Sequence, residues 1–140
     1  MRRMTEHQEQ VTLFRWVTLL QARHPELALL HAIPNGGHRH KVVAARMKAE
    51  GVKRGVPDLC LPVPRGEHHG LYLEMKTRQG RLSPEQRHWG NALQAQGYRF
   101  EVCRSWNEAA RSLADYLGIR CPGMDKCRGR QEAVSDDAQP

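Results

Sequence analysis

Two short clusters of polar residues hold the reactive side chains of this sequence. One is Gly55-Val56-Pro57-Asp58-Leu59, and the other, Glu74-Met75-Lys76, begins sixteen positions after the aspartate. Each borders an apolar run, Leu59-Cys60-Leu61 after Asp58 and Leu71-Tyr72-Leu73 before Glu74. Such runs read as buried strands. Residues i and i+2 of a strand face the same way, about 6–7 Å apart. Glu74 and Lys76 therefore share one face, and Leu73 and Met75 take the other. An antiparallel partner brings Asp58 within cross-strand reach of them. Two converging carboxylates repel each other. A hard divalent cation, Mg2+ or Mn2+, removes that cost because it prefers oxygen ligands. The Met75 carbonyl is a natural further ligand, and Lys76 then stands beside the ion. The set suits phosphodiester hydrolysis: metal lowers the pKa of a water, and an ammonium group stabilises charge on the phosphate. Taken singly, a Pro-Asp turn and a Glu-x-Lys strand are ordinary surface features. Their order and spacing, behind a strongly basic segment, favour a site.

The elements that must position these groups follow from patterning. Thr5 caps a helix from Glu6 to about Gln21, on which Val11, Leu13, Phe14, Val17 and Leu20 form apolar rows. Leu27 to Ile33 is predicted as a buried strand ending in the turn Pro34-Asn35-Gly36-Gly37. Lys41 to Glu50 reads as a helix ended by Gly51. Strands follow at Asp58 to Val63 and Leu71 to Thr77, joined by a hairpin loop. Ser83-Pro84-Glu85-Gln86 starts a helix with proline at its first position, running to about Gln96. A strand at Tyr98 to Cys103 and a Ser105-capped helix from Trp106 to Leu117 complete the order. That order predicts an α/β fold around a small mixed sheet.

The chain has 140 residues, enough for one core. Residues 1–118 are expected to form the domain, and residues 119–140 a polar, disordered tail. No apolar run is long enough to span a bilayer, and no signal peptide is expected, so the cytoplasm is the expected location. The formal net charge is +7, with a pI near 9.7 and a mean hydropathy of −0.70. Such a balance favours polyanionic partners. From Gly37 to Val56 six basic residues (Arg39, Lys41, Arg46, Lys48, Lys53 and Arg54) face one acid, Glu50. They are candidates for DNA phosphate contacts, which give affinity without sequence reading. Asn35, Gly36 and Gly37 either let backbone approach a phosphate or simply make a tight turn. Cys60 and Cys103 lie in strand-like runs and are expected to be reduced and buried. Cys121 and Cys127 lack zinc-site spacing, and the adjacent pair His68-His69 reads as a solvated loop.

With these residues in view, the sequence resembles the PD-(D/E)xK nuclease superfamily and, more closely, its VRR-NUC branch. The resemblance rests on Ile33 to Gly37, Ala45 to Lys53, Gly55 to Leu59, Glu74-Met75-Lys76, Gly80 to Gln86, and Gly97-Tyr98. It covers Glu6 to about Leu117. It implies a restriction-endonuclease-like core, α-β-β-β-α-β, with a helical insert after the first strand. It implies Asp58 and Glu74 as metal ligands, Lys76 as the catalytic lysine, and Gln86 as the glutamine near the site. A glutamate on the first helix would complete the metal site. Glu6, with Gln10 one turn on, is preferred, and Glu9 stays open. Either is also an ordinary acid complementing a helix dipole. Small members of the family resemble junction-resolving enzymes that work as homodimers. The resemblance therefore implies a Mg2+- or Mn2+-dependent DNA endonuclease acting on branched DNA such as four-way (Holliday) junctions, from a phage or prophage source. The competing reading is a non-catalytic nucleic-acid-binding module that retains the fold. A sequence-specific restriction enzyme is a third, with little chain left for a target-recognition module.

Overall fold

The apolar runs around the two polar clusters pair with each other in the computed structural model, which describes residues 2–34 and 40–121. Along the chain these residues form helix α1 (Glu6–Leu20), a 3-10 turn (Pro25–Leu29), β1 (His31–Ala32), α2 (Lys41–Ala49), β2 (Leu59–Leu61), β3 (Leu71–Met75), α3 (Pro84–Ala95), β4 (Arg99–Cys103) and α4 (Trp106–Leu117). The strands form one mixed sheet in the order β1-β2-β3-β4. β2 pairs antiparallel with both β1 and β3, and β4 joins β3 in parallel. The fold is thus mixed α/β, as the element order predicts.

Strand alternation divides the layers. Leu59, Leu61, Leu71, Leu73, Met75 and Cys103 enter one core with Leu13 and Val17 of α1 and Ala109, Ala110 and Leu113 of α4. Burying a leucine of this kind contributes about 1.5–3 kcal/mol, so these odd-numbered strand positions fix which face turns inward. The opposite face carries Glu74 and Phe100. Helix α3 covers it closely: a Cβ on Gly90 would stand 2.5 Å from the Phe100 ring. Thr5 and Ser83 begin α1 and α3 with reciprocal capping boxes, and Ser105 caps α4. Gly118, at φ 70°, ends α4 in the left-handed conformation that glycine adopts freely.

The strand expected over Leu27 to Ile33 is mostly absent. Leu27 and Leu30 are buried while Leu29 is 52% exposed. That three-residue period belongs to a 3-10 turn, not a strand, and Pro25 opens it; only His31 and Ala32 pair. The strand expected at Asp58 to Val63 narrows to Leu59–Leu61, since Pro62 has no amide to extend the ladder. The strand expected to end at Thr77 stops at Met75. Cys60 and Cys103 are buried thiols as expected. Trp16 and Trp106 pack against the core. No helix among the described residues is long and apolar enough to cross a membrane. Asn35, Gly36, Gly37, Arg39 and Cys127, and the expected tail of residues 119–140 from residue 122 on, lie outside the described residues.

One glycine ties the turn before β2 to α3. Gly55 has φ 86°, and a Cβ there would lie 2.5 Å from the backbone carbonyl carbon of Glu85. Gly51 has φ 96° with nothing within 4 Å of its Cβ position. Gly51→Ala should therefore cost only the left-handed strain, about 1–2 kcal/mol. Gly55→Ala adds a backbone clash and should cost at least twice that, on the order of 3 kcal/mol. Urea unfolding of the two variants checks the difference; equal losses would contradict the packing described.

Candidate active site

The register that pairs Leu59 with Leu73 carries Asp58 opposite Glu74, where β2 enters the sheet. Backbone geometry anchors the aspartate on both sides. Its carbonyl accepts the Ile33 amide at 2.7 Å, and its Oδ2 accepts the Met75 amide at 2.8 Å. Met75 thus contributes an amide to Asp58, and its side chain is buried in the core.

Glu74 is 2% exposed, the one buried charged residue of the described core. The Gln86 side-chain amide donates to its Oε1 at 3.0 Å. The same amide's oxygen accepts from the Ser83 backbone, and the Ser83 hydroxyl accepts from the Gln86 backbone. Gln86 therefore caps α3 and holds the carboxylate with one side chain. The Ser-x-x-Gln spacing is a visible capping signature; it marks the helix start and leaves the second contact unannounced.

The other oxygen of Glu74, Oε2, is buried and meets no donor. Burial, the first cause, pushes the Glu74 carboxyl up to about 8, and the Asp58 carboxylate and then Glu6 push the same way. Lys76 opposes them by favouring the ionised form. A buried orphan oxygen beside another acceptor needs a shared proton or a cation. The donor set is hard: the carboxylate oxygens of Asp58 and Glu74. Among the described residues no three His, Cys, Asp or Glu side chains converge as a full ligand set. Mg2+ is ordinarily held through one or two carboxylates and keeps several waters, so the pair fits such an ion.

The two candidate glutamates of α1 have different partners. Glu6 reaches the far end of β3, where its Oε1 accepts the Thr77 amide at 3.3 Å. Glu9 turns to α4 and accepts the Trp106 amide at 2.7 Å, satisfying a donor left open at the helix start. Sequence reasoning missed the anchor of the segment after Lys76. Arg104 donates to the carbonyls of Thr77, at 2.9 Å, and Gly80. Nothing local announces that contact, because the partners lie 24 and 27 residues apart. Lys41, Arg46, Lys48, Lys53 and Arg54 are all exposed. None is brought into contact with the carboxylates, and α2 buries no residue.

The profile of the VRR-NUC domain family matches residues 3–107. A solved structure described as a "VRR_NUC domain protein" is similar in fold, with a TM-score of 0.73 and 26% identity, covering 85% of this chain and 93% of that one. No curated protein shows a match to this chain.

The raised Glu74 pKa makes stability depend on pH. Below the ordinary value of 4.5 the carboxyl is protonated in both folded and unfolded chains, and burial costs little. Between 4.5 and about 8 the unfolded chain ionises first, so stability falls by a few kcal/mol as pH rises. In EDTA, the melting temperature of the wild type should fall between pH 5 and 8 more steeply than that of Glu74→Gln. Parallel profiles would remove this account of the buried carboxylate.

Proposed function

Since the chain belongs to the VRR-NUC family, whose fold is of nuclease type, we propose that it is a metal-dependent DNA endonuclease that hydrolyses phosphodiester bonds. One observation carries this reading: Glu74 is buried with an orphan oxygen, its carboxyl raised by Asp58 and opposed by Lys76. A binding module has no use for so costly an arrangement. Asp58, Glu74 and the Met75 carbonyl would hold Mg2+ or Mn2+, with Glu6 from α1. Glu9 is less suited: its carboxylate is directed to the start of α4, whereas Glu6 is one of the charges that act on Glu74. The bound ion would lower the pKa of an attacking water and offset charge on the phosphate.

The chain's own residues do the remaining work. Gln86 holds the Glu74 carboxylate in one rotamer, so its free oxygen stays directed away from the amide. The Met75 amide fixes Asp58. Lys76, two residues along from Glu74, supplies the ammonium that stabilises charge on the scissile phosphate and positions the water. The exposed cations of α2 and the loop after it contact flanking phosphates, and so make binding salt-dependent. Asn35, Gly36, Gly37 and Arg39 join them in this proposal. One chain has one such site and cuts one strand. Paired cuts across a branched duplex need a homodimer with a two-fold axis. Four-way junctions are accordingly the proposed substrate.

Purified protein with Mn2+ should cut a four-way junction, and Lys76→Ala should lower the rate at least about 100-fold with an unchanged melting temperature. Cutting that survives the substitution, or no cutting by the wild type, rejects the nuclease. A retained metal-independent affinity for DNA in the second case would favour the binding module.

The two glutamates separate in one comparison. Glu6→Gln should abolish cleavage while leaving stability within about 0.5 kcal/mol. Glu9→Ala should lower stability by about 1–2 kcal/mol while the folded fraction still cleaves. The opposite pattern would exchange their roles.

A further inference from the structure

Beside α3 lies a cleft of about 280 Å³, lined by Arg54, Pro84, Glu85, His88 and Trp89. The carboxylate site uses none of these side chains. Yet the two walls of the cleft are the two segments that build that site. Arg54 lies four residues before Asp58, and Glu85 immediately precedes Gln86. The walls are locked together at Gly55, whose Cβ position falls 2.5 Å from the Glu85 backbone. One wall of the cleft is therefore the first turn of α3, the turn that also carries Gln86. The cleft is near the lower end of the size range of small-molecule pockets, about 300–1,000 Å³.

Its lining selects among the parts of a nucleic acid. Trp89 is half-buried and offers an aromatic face, and Pro84 adds an apolar wall. Arg54, Pro84, Glu85 and His88 are all exposed around it. Glu85 decides the matter: a carboxylate repels a phosphate, but it accepts hydrogen bonds from the exocyclic amino group of a base. We propose that the cleft receives an unpaired base bearing an exocyclic amino group (cytosine, adenine or guanine, not thymine) from a DNA strand whose phosphates run past Arg54 toward the carboxylates. This rests on the nuclease reading above and adds to it an unpaired base opened at the branch point of the junction. Fully paired duplex keeps its bases stacked and has none to insert.

The test uses the full chain in EDTA, so that binding is read without cutting. Oligo(dC) should quench tryptophan fluorescence, and blunt duplex should not. Trp89→Phe should still bind oligo(dC) but lose the quenching. Trp89→Ala should bind oligo(dC) about tenfold more weakly and blunt duplex as the wild type does. Undiminished quenching in Trp89→Phe, or wild-type affinity for oligo(dC) in a folded Trp89→Ala, overturns the proposal. Oligo(dT) binding as tightly as oligo(dC) and oligo(dA) overturns the role of Glu85 in selecting the base. Cleavage by wild type with Mn2+ is scored separately. A cutting enzyme without the fluorescence signature loses only the cleft, and the signature without cutting loses only the nuclease.

Discussion

The bond between Gln86 and Glu74 sets the terms for the rest of the site. A carboxylate at 2% exposure has given up its water, and one amide returns only part of what was lost. That amide is not free to move, because its oxygen is committed to Ser83 at the start of α3. The direction of the helix and the rotamer of the carboxylate are thus one constraint. The Gly90 contact with Phe100 presses α3 onto the sheet, so the constraint extends to β4 as well. What remains unsatisfied is a single oxygen, and it remains so because the geometry on every other side is settled.

Around the end of β3 the fold collects groups from distant parts of the chain. Asp58 immediately precedes β2, the strand beside β3, and is fixed by an amide of β3 itself. Glu6 comes from the first turn of α1 and meets the amide of Thr77. Arg104, just after β4, holds the carbonyls of Thr77 and Gly80. The segment that follows Lys76 is therefore restrained from two sides, although it belongs to no strand or helix. In the proposed nuclease, such restraint would keep Lys76 within the narrow geometry that catalysis needs. The repulsion among Asp58, Glu74 and Glu6 is sustained by packing that has no other way to close.

The basic residues are organised differently. α2 has no buried side chain and carries Lys41, Arg46 and Lys48 in the open. Its shape comes from local helix formation, with Gly51 in a left-handed turn after it, and not from a packed face. Arg54, by contrast, stands where the loop returns to the body of the protein, beside the locked contact between Gly55 and Glu85. The sequence shows one continuous run of charge; the fold divides it into an exposed helix and a residue at a cleft.

Several features were open to reading from the chain alone. The helix starts at Thr5, Ser83 and Ser105 depend on side chains bonding to backbone within four residues, and the end at Gly118 depends on a residue free to take the left-handed conformation. The inward positions of β2 and β3 depend on a period of two. Asp58, Glu74 and Lys76 were readable as a set because strand geometry places i and i+2 together. The Leu27–Ile33 segment misled because a short apolar run suits a 3-10 turn and a strand equally, and only the surface it packs against chooses the period. The choice between Glu6 and Glu9 was likewise closed to local reasoning, since the two differ in direction around a helix whose orientation α4 sets. The two contacts of Gln86, to Ser83 and to Glu74, and the grip of Arg104 have no local signature that joins them. Sequence alone determined which residue types could assemble and the local elements that carry them, because hydrogen bonding and periodicity act over a few residues. Tertiary structure decided which carboxylate loses its solvent, which glutamate faces the sheet and which carbonyls are held, because those depend on contacts between segments up to 97 residues apart.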